Sequence, residues 1–230
     1  GFDAERMLTF TVPLPGRYNA STTRFAFKQD FEQRLRALPG VSGVAIGNGL
    51  PTKIGNSNGI FLQSRPWEAN EPVPFITTSR VNDDYFRTLG VPLLAGRTFD
   101  ASDLVTGPPV MVITDAFAKK YFPNGDAIGQ RVRWGPPDPD QPWTTIIGVV
   151  GNVRNNPLAL SPEPMMFFSQ RQAPFGEAFG IRTSGDPNAL TASIRAMLKS
   201  IDPGLPMYQV KTMDDLVAEG FAAQKLPVML

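Results

Sequence analysis

Asn82-Asp83-Asp84-Tyr85-Phe86-Arg87-Thr88-Leu89-Gly90 opens the most patterned part of this chain, which runs over residues 81–153. Asn82 is placed to cap a short helix, and Gly90 to end it in a left-handed conformation. Asp83 and Asp84 fall in its first turn, where the positive end of the helix dipole favours acids. Val91-Pro92-Leu93-Leu94-Ala95-Gly96-Arg97-Thr98-Phe99 is too broken by Pro and Gly to be a helix. Val110-Met111-Val112-Ile113-Thr114 reads as a buried strand. Asp115 then caps a second short helix over residues 116–122, which Pro123-Asn124-Gly125 stops. Residues 129–135 and 144–151 are two further strands. The proline-rich tip between them, residues 135–142, is expected to be exposed.

Outward from this block, one piece of grammar occurs at both ends of the chain. Residues 7–14 form a strand that ends among Pro13 and Pro15. Residues 21–38 form the clearest helix, with Phe27, Phe31, Leu35 and Leu38 in one apolar stripe. Pro39-Gly40 stops it, and residues 41–46 return as a strand. Near the other end, residues 178–183 form a strand. Asp186 caps the next helix with Pro187 at its first position. Leu190, Ile194, Met197, Leu198 and Ile201 make its apolar stripe, and Asp202-Pro203-Gly204 stops it. Residues 207–210 are again a strand, and residues 213–221 a helix with Leu216 and Val217 on one face. Two strand–helix–strand units of this kind can pair into one sheet with both helices on one face, a split βαβ or ferredoxin-like layout.

Between the two units the composition changes. Residues 51–58 are loop, residues 60–63 and 73–78 are candidate strands, and residues 155–164 are loop again. Met165-Met166-Phe167-Phe168 is apolar on consecutive positions, as in a strand buried on both faces. The expected fold class is α+β. Residues 1–50 and 176–230 form one discontinuous α/β subdomain, with Phe31 and Ile194 in a shared core. Residues 51–175 form a mostly β insert.

Four blocks carry a resemblance. They are Tyr85-Phe86-Arg87-Thr88-Leu89-Gly90-Val91-Pro92-Leu93-Leu94-Ala95-Gly96-Arg97, Asp115-Ala116-Phe117-Ala118-Lys119-Lys120-Tyr121-Phe122-Pro123, Asp126-Ala127-Ile128-Gly129-Gln130-Arg131 and Ile147-Gly148-Val149-Val150-Gly151-Asn152-Val153-Arg154. In this order they resemble the MacB-like periplasmic core domain of ABC transporter permeases of the MacB/FtsX type. The resemblance implies a porter-like subdomain interrupted by a sabre-like β-rich insert. It also implies a periplasmic location at the bacterial inner membrane and a mechanotransmission role in efflux. The implied partners are the transmembrane helices of the same permease, an associated ATPase, a second permease copy and a periplasmic adaptor protein. In the family, Gly1-Phe2-Asp3 lies just after the first transmembrane helix, and Leu226-Pro227-Val228-Met229-Leu230 at the entrance to the second. Residues near Phe2 and Val228 are therefore expected on one side of the molecule, about 25 Å apart or less, some three helix spacings. The loops between Gly49 and Gly176 are expected at the distal end.

Composition limits the chemistry. The 230 residues carry a net charge of +1, which points to no nucleic-acid partner. Cys and His are both absent, so thiol nucleophiles, thiolate metal sites and a Ser-His-Asp triad are impossible within the chain. The Asp83-Asp84 pair reads as helix capping rather than acid–base or metal chemistry. Asp138 and Asp140 read as turn acids rather than a calcium site, for want of further ligands. Gly47-Asn48-Gly49 lacks the lysine and the capped helix of a phosphate loop. Arg97, Arg131, Arg133 and Arg154 bind an anion only if they converge; otherwise they are solvated or paired charges. Trp67, Trp134 and Trp143 read as packing residues, with a sugar or peptide site as the alternative. Asn19-Ala20-Ser21 matches a glycosylation sequon on a short pattern alone. No catalytic residue, cofactor or metal is expected. The alternatives to a non-catalytic transporter module are a secreted carboxylate-dependent hydrolase and a stand-alone ligand-binding protein.

Overall fold

The computed structural model describes residues 1–65, 68, 70–135, 140–156, 159 and 161–225, the last three of these without side-chain detail. Trp67, Asp138 and Val228 lie outside the described residues. In chain order the elements are β1 (Met7–Thr11), α1 (Ser21–Arg36), β2 (Val41–Gly47), β3 (Ser57–Leu62), β4 (Phe75–Val81), α2 (Tyr85–Thr88), β5 (Leu93–Gly96), β6 (Val110–Thr114), α3 (Asp115–Tyr121), β7 (Arg131–Trp134), β8 (Thr144–Val150), β9 (Met165–Ser169), β10 (Ala178–Thr183), α4 (Thr191–Ile201), β11 (Tyr208–Thr212) and α5 (Met213–Lys225). The fold is mixed α+β. Among the described residues no helix is long and apolar enough to cross a membrane.

The strands pair in two patterns. β11, β1, β10 and β2 lie side by side in that order, all antiparallel. Leu8, Phe10, Val44, Ile46, Phe179 and Ile181 point from one face of this sheet into a single core. The apolar stripes of both long helices meet them there, Phe31 and Leu35 from α1, Ile194 and Leu198 from α4. Aromatic rings fill its centre, with Phe10 stacked on Phe179 at 5.2 Å and Phe31 edge-on to Phe179 at 5.3 Å.

The remaining strands close on themselves. β4 pairs β3, β3 pairs β7, β7 pairs β8, β8 pairs β6, β6 pairs β9, and β9 returns in parallel to β4. Each of these strands sends a side chain inward, among them Ile60, Ile76, Met111, Val132, Ile146 and Met166, and Phe117 of α3 joins them. Alternation then turns Val110, Val112, Met165 and Phe167 outward. These outward residues meet Tyr85 and Phe86 of α2, together with Met7 and Ala45 of the first sheet and Met213 and Leu216 of α5. The short helix in the opening stretch is thus a wedge, buried between sheet and ring. β5 is the outlier, an edge strand hydrogen-bonded to β8 with all four residues exposed.

Several local expectations change. Asn82 does not cap α2; it is buried, and its side chain serves β2 instead. Asp83 and Asp84 do not cap it either, because arginines hold both. Thr114, not Asp115, caps α3, its hydroxyl accepting from Phe117 N at 3.4 Å. Asp115 stands in the first turn and pairs with Lys119 at 2.7 Å. Gly90 does adopt the left-handed conformation, at φ 67°. Asp186 does cap the Pro187 turn, accepting from Asn188 N at 2.9 Å.

Candidate functional site

Two of the weighed candidates, Asp83-Asp84 and Gly47-Asn48-Gly49, lie at the seam between sheet and ring. β2 meets β4 in one residue pair, Gly47 with Val81, so the ladder alone joins the two patterns weakly. Asn82 continues it with its side chain. Its carbonyl oxygen accepts from Ile46 N at 2.8 Å, and its amide donates to Val44 O at 2.9 Å and to Glu32 Oε1 at 2.8 Å. One buried amide thereby binds β2, α1 and the head of α2 together. Asp84 receives Arg87 at 2.7 Å and also Arg36 of α1. Burial works to raise the Asp84 carboxyl, but the Arg87 and Arg36 guanidiniums outweigh it and hold it below the usual range. Asp83 binds Arg171, just past β9, in a forked contact with distances down to 2.6 Å.

Two connections cross the seam, residues 48–56 and residues 170–177. They touch backbone to backbone: a Cβ on Gly176 would lie 2.7 Å from Asn48 N and 2.6 Å from the carbonyl carbon of Gly47 at the end of β2, and Gly176 sits at φ 109°. Close approach, not phosphate binding, accounts for the Gly47-Asn48-Gly49 run. Asn48 accepts from Arg80 N at 3.0 Å, and a Cβ on Gly49 would strike Lys53 O at 2.5 Å. The second connection also carries a cation–π ladder. Arg24 of α1 lies 5.3 Å from the Phe175 ring centre, and Arg80 of β4 lies 5.2 Å from Phe175 and 5.4 Å from Trp134 of β7. Trp134 also packs on Phe168 at 4.9 Å.

The other candidates lie apart. Arg97 is held by the buried Asp103 at 2.7 Å. Arg133 covers the Trp143 ring at 4.3 Å. Arg131 is exposed on β7, and Arg154 borders a cleft shared by Phe2, Asn155 and Val217. Asp140 and Asn19 are exposed. Among the described residues no three acidic, His or Cys side chains assemble as a metal-binding group.

Sequence reading puts Lys28 on the solvated faces of α1, where the structure buries it, and singles out none of Arg80, Arg171, Phe175 and Arg182. Arg182 of β10 gathers the first residues of the chain, donating to Asp3 O at 2.8 Å, Glu5 O at 2.9 Å and Thr88 O at 2.7 Å. A lone arginine in a strand, or a lone lysine in a helix, carries no pattern that marks it. Their partners are distant in sequence.

No curated protein matches the sequence. Among solved structures, the periplasmic region of MacB from Actinobacillus actinomycetemcomitans has a TM-score of 0.61 at 12% identity, over 94% of this chain and 92% of that one. The extracellular domain of the noncanonic ABC-type transporter YknZ from Gram-positive bacteria has a TM-score of 0.57 at 16% identity, over 90% and 100%. A domain of a putative permease protein from Porphyromonas gingivalis has 0.54 at 14%, over 92% and 93%. At these identities the likeness speaks to the fold. The sequence profile of the MacB-like periplasmic core domain matches residues 3–201. The chain therefore belongs to the family of MacB-like periplasmic core domains, non-catalytic extracytoplasmic parts of ABC-transporter-type permeases.

Proposed function

We propose that this domain transmits the motion of transmembrane helices to a cargo or partner protein, as one stiff body on the periplasmic side of the bacterial inner membrane. The observation that carries the reading is the seam, where α2, Asn82 and the Gly47–Gly176 contact bind sheet to ring. A body that passes on displacement must not absorb it at its own waist. The strand order β11-β1-β10-β2 with α1 and α4 on one face supports a split βαβ, porter-like subdomain of residues 1–50 and 176–230. The closed ring supports reading residues 51–175 as the insert. Phe2 and Val217 border the same cleft, which supports both transmembrane connections leaving from one pole. The implied partners are the helices of the same permease and its ATPase, with a second permease copy and an adaptor further out.

The test is uncoupling. In the permease with its ATPase, Asn82→Ala and Gly176→Ala are expected to lower transport while ATP hydrolysis continues. Transport that persists at the wild-type rate in both folded variants contradicts the proposal.

A further inference from the structure

Lys28 is out of place for a lysine. It lies in α1 with only 3% of its surface exposed, and its Nζ has no hydrogen-bond partner among the described residues. A buried charge without a partner is strongly unfavourable, and lysine answers by giving up its proton. Helical side chains lean toward the helix N-terminus, which turns Lys28 toward Arg24 one turn earlier. The charged groups that face it are Arg24 and Glu32 on α1 and Glu177 at the end of the 170–177 connection. Arg24 is itself 3.6 Å from Glu177, so the one acid across the seam is shared by two cations. The remaining charges on the bordering groove are committed elsewhere: Asp30 to Arg34, Asp83 to Arg171, and Asp84 to Arg36 and Arg87.

We propose that Lys28 is a proton-operated latch on the 170–177 connection: neutral, it lets the connection close on α1, and protonated, it drives the two apart at Phe175. The proton goes onto the Nζ lone pair, and no bond to carbon changes. The new ammonium then lies beside Arg24 with half a counter-ion. Its relief is to reach water through the groove that Lys28 already borders between α1 and Gln170-Arg171. The same ammonium repels Arg24, and Arg24 holds Phe175 at 5.3 Å, so the repulsion unseats the ring from the α1 rung of the ladder. Asn82 borders the same groove, but its bonds to Ile46 and Val44 hold β2 rather than the connection, and they stay closed. Burial first, then Arg24, pushes the Lys28 ammonium down from 10.5 to about 7, with Glu177 and Glu32 opposing, so the latch works from neutrality upward.

The inference concerns the isolated chain and stands or falls independently of the transport reading. The experiment is a pH titration of the purified domain from pH 6 to 10.5, with 13C-labelled lysine and ring-labelled phenylalanine, in wild type and in Lys28→Met and Glu177→Gln. The Lys28 signal is expected to titrate near neutrality, and the Phe175 ring signals to move with the same midpoint. The open fraction should fall about ten-fold per pH unit above that midpoint. In Lys28→Met the Phe175 signals should stay at their high-pH positions throughout, and Glu177→Gln should move the midpoint lower. A Lys28 midpoint at the ordinary lysine value, or a Phe175 transition that survives in Lys28→Met, overturns the proposal. The wild-type midpoint tests it even if a variant does not fold.

Discussion

At the scale of single residues, two polar side chains set the character of the seam in opposite ways. Asn82 is buried and fully used, so its loss strands partners. Asn82→Ala leaves Ile46 N–H and Val44 C=O without their side-chain partner, at about 1–3 kcal/mol for each buried group left unpaired. Chemical denaturation should show the variant less stable by about 2–6 kcal/mol. A loss below about 0.5 kcal/mol would mean that water replaces the amide at no cost. Lys28 is buried and unused, so its loss should help. Its folded-state value near 7 lies below the unfolded value of about 10.4. Between these limits the unfolded chain binds more protons than the folded one. Stability therefore rises with pH from about 7 to 10.4, by up to about 1.4 kcal/mol per unit, and this contribution is constant below 7. Lys28→Met should remove that slope and raise stability at pH 7, as denaturation curves at several pH values would show. Neither residue was legible beforehand. Asn82 carries a helix-cap signature and Lys28 a solvated-face signature; what overrides both is tertiary, the end of the β2 ladder in one case and the 170–177 connection in the other.

At the scale of elements, the long amphipathic pieces were readable and the short ones were not. α1 and α4 follow their apolar stripes, and Phe31 and Ile194 share one core. Removing the ring at its centre, Phe31→Ala, should cost about 3–5 kcal/mol in equilibrium unfolding. A cost under 1 kcal/mol would show that the aromatic cluster collapses around the gap. β6 reads as a buried strand and β9 as one buried on both faces, and both are buried on both faces, because the ring has a core inside and the α2 wedge outside. β5 escaped notice because it has only four residues, preceded by Pro92 and ending on Gly96, and its pairing to β8 is a property of the fold. The connection at Gly176 is a backbone contact with no side-chain signal. Gly176→Ala places a Cβ against Gly47 at a φ that L residues rarely adopt, and should cost on the order of 2 kcal/mol or more. Phe175→Ala loses two cation–π contacts on a half-exposed ring, about 1–2 kcal/mol. The ordering of these two losses, measured by denaturation, separates backbone packing from ring stacking as the main tie.

At the scale of the whole molecule, two of the four family blocks lie at the seam, and the other two, residues 115–123 and 126–131, belong to the ring. Residues 85–97 hold the α2 wedge and the β5 edge, and residues 147–154 hold the end of β8 beside Phe2. These two blocks help join sheet to ring and approach the pole where the chain begins. Stiffness across that junction is the central claim. The chain lacks cysteine, so introduced cysteines are the sole labelling sites within it. Lys199→Cys on α4 and Lys120→Cys on α3 put spin labels on exposed positions of the two halves. In the full permease, pulsed dipolar spectroscopy between these labels, with and without ATP, reads the waist of the domain directly. The account predicts one unchanged distance distribution in both states at a pH above 8, where Lys28 is mostly neutral, while transport proceeds. A distance that shifts with ATP, or a second population that appears with it, would show the halves moving against each other and contradict the account.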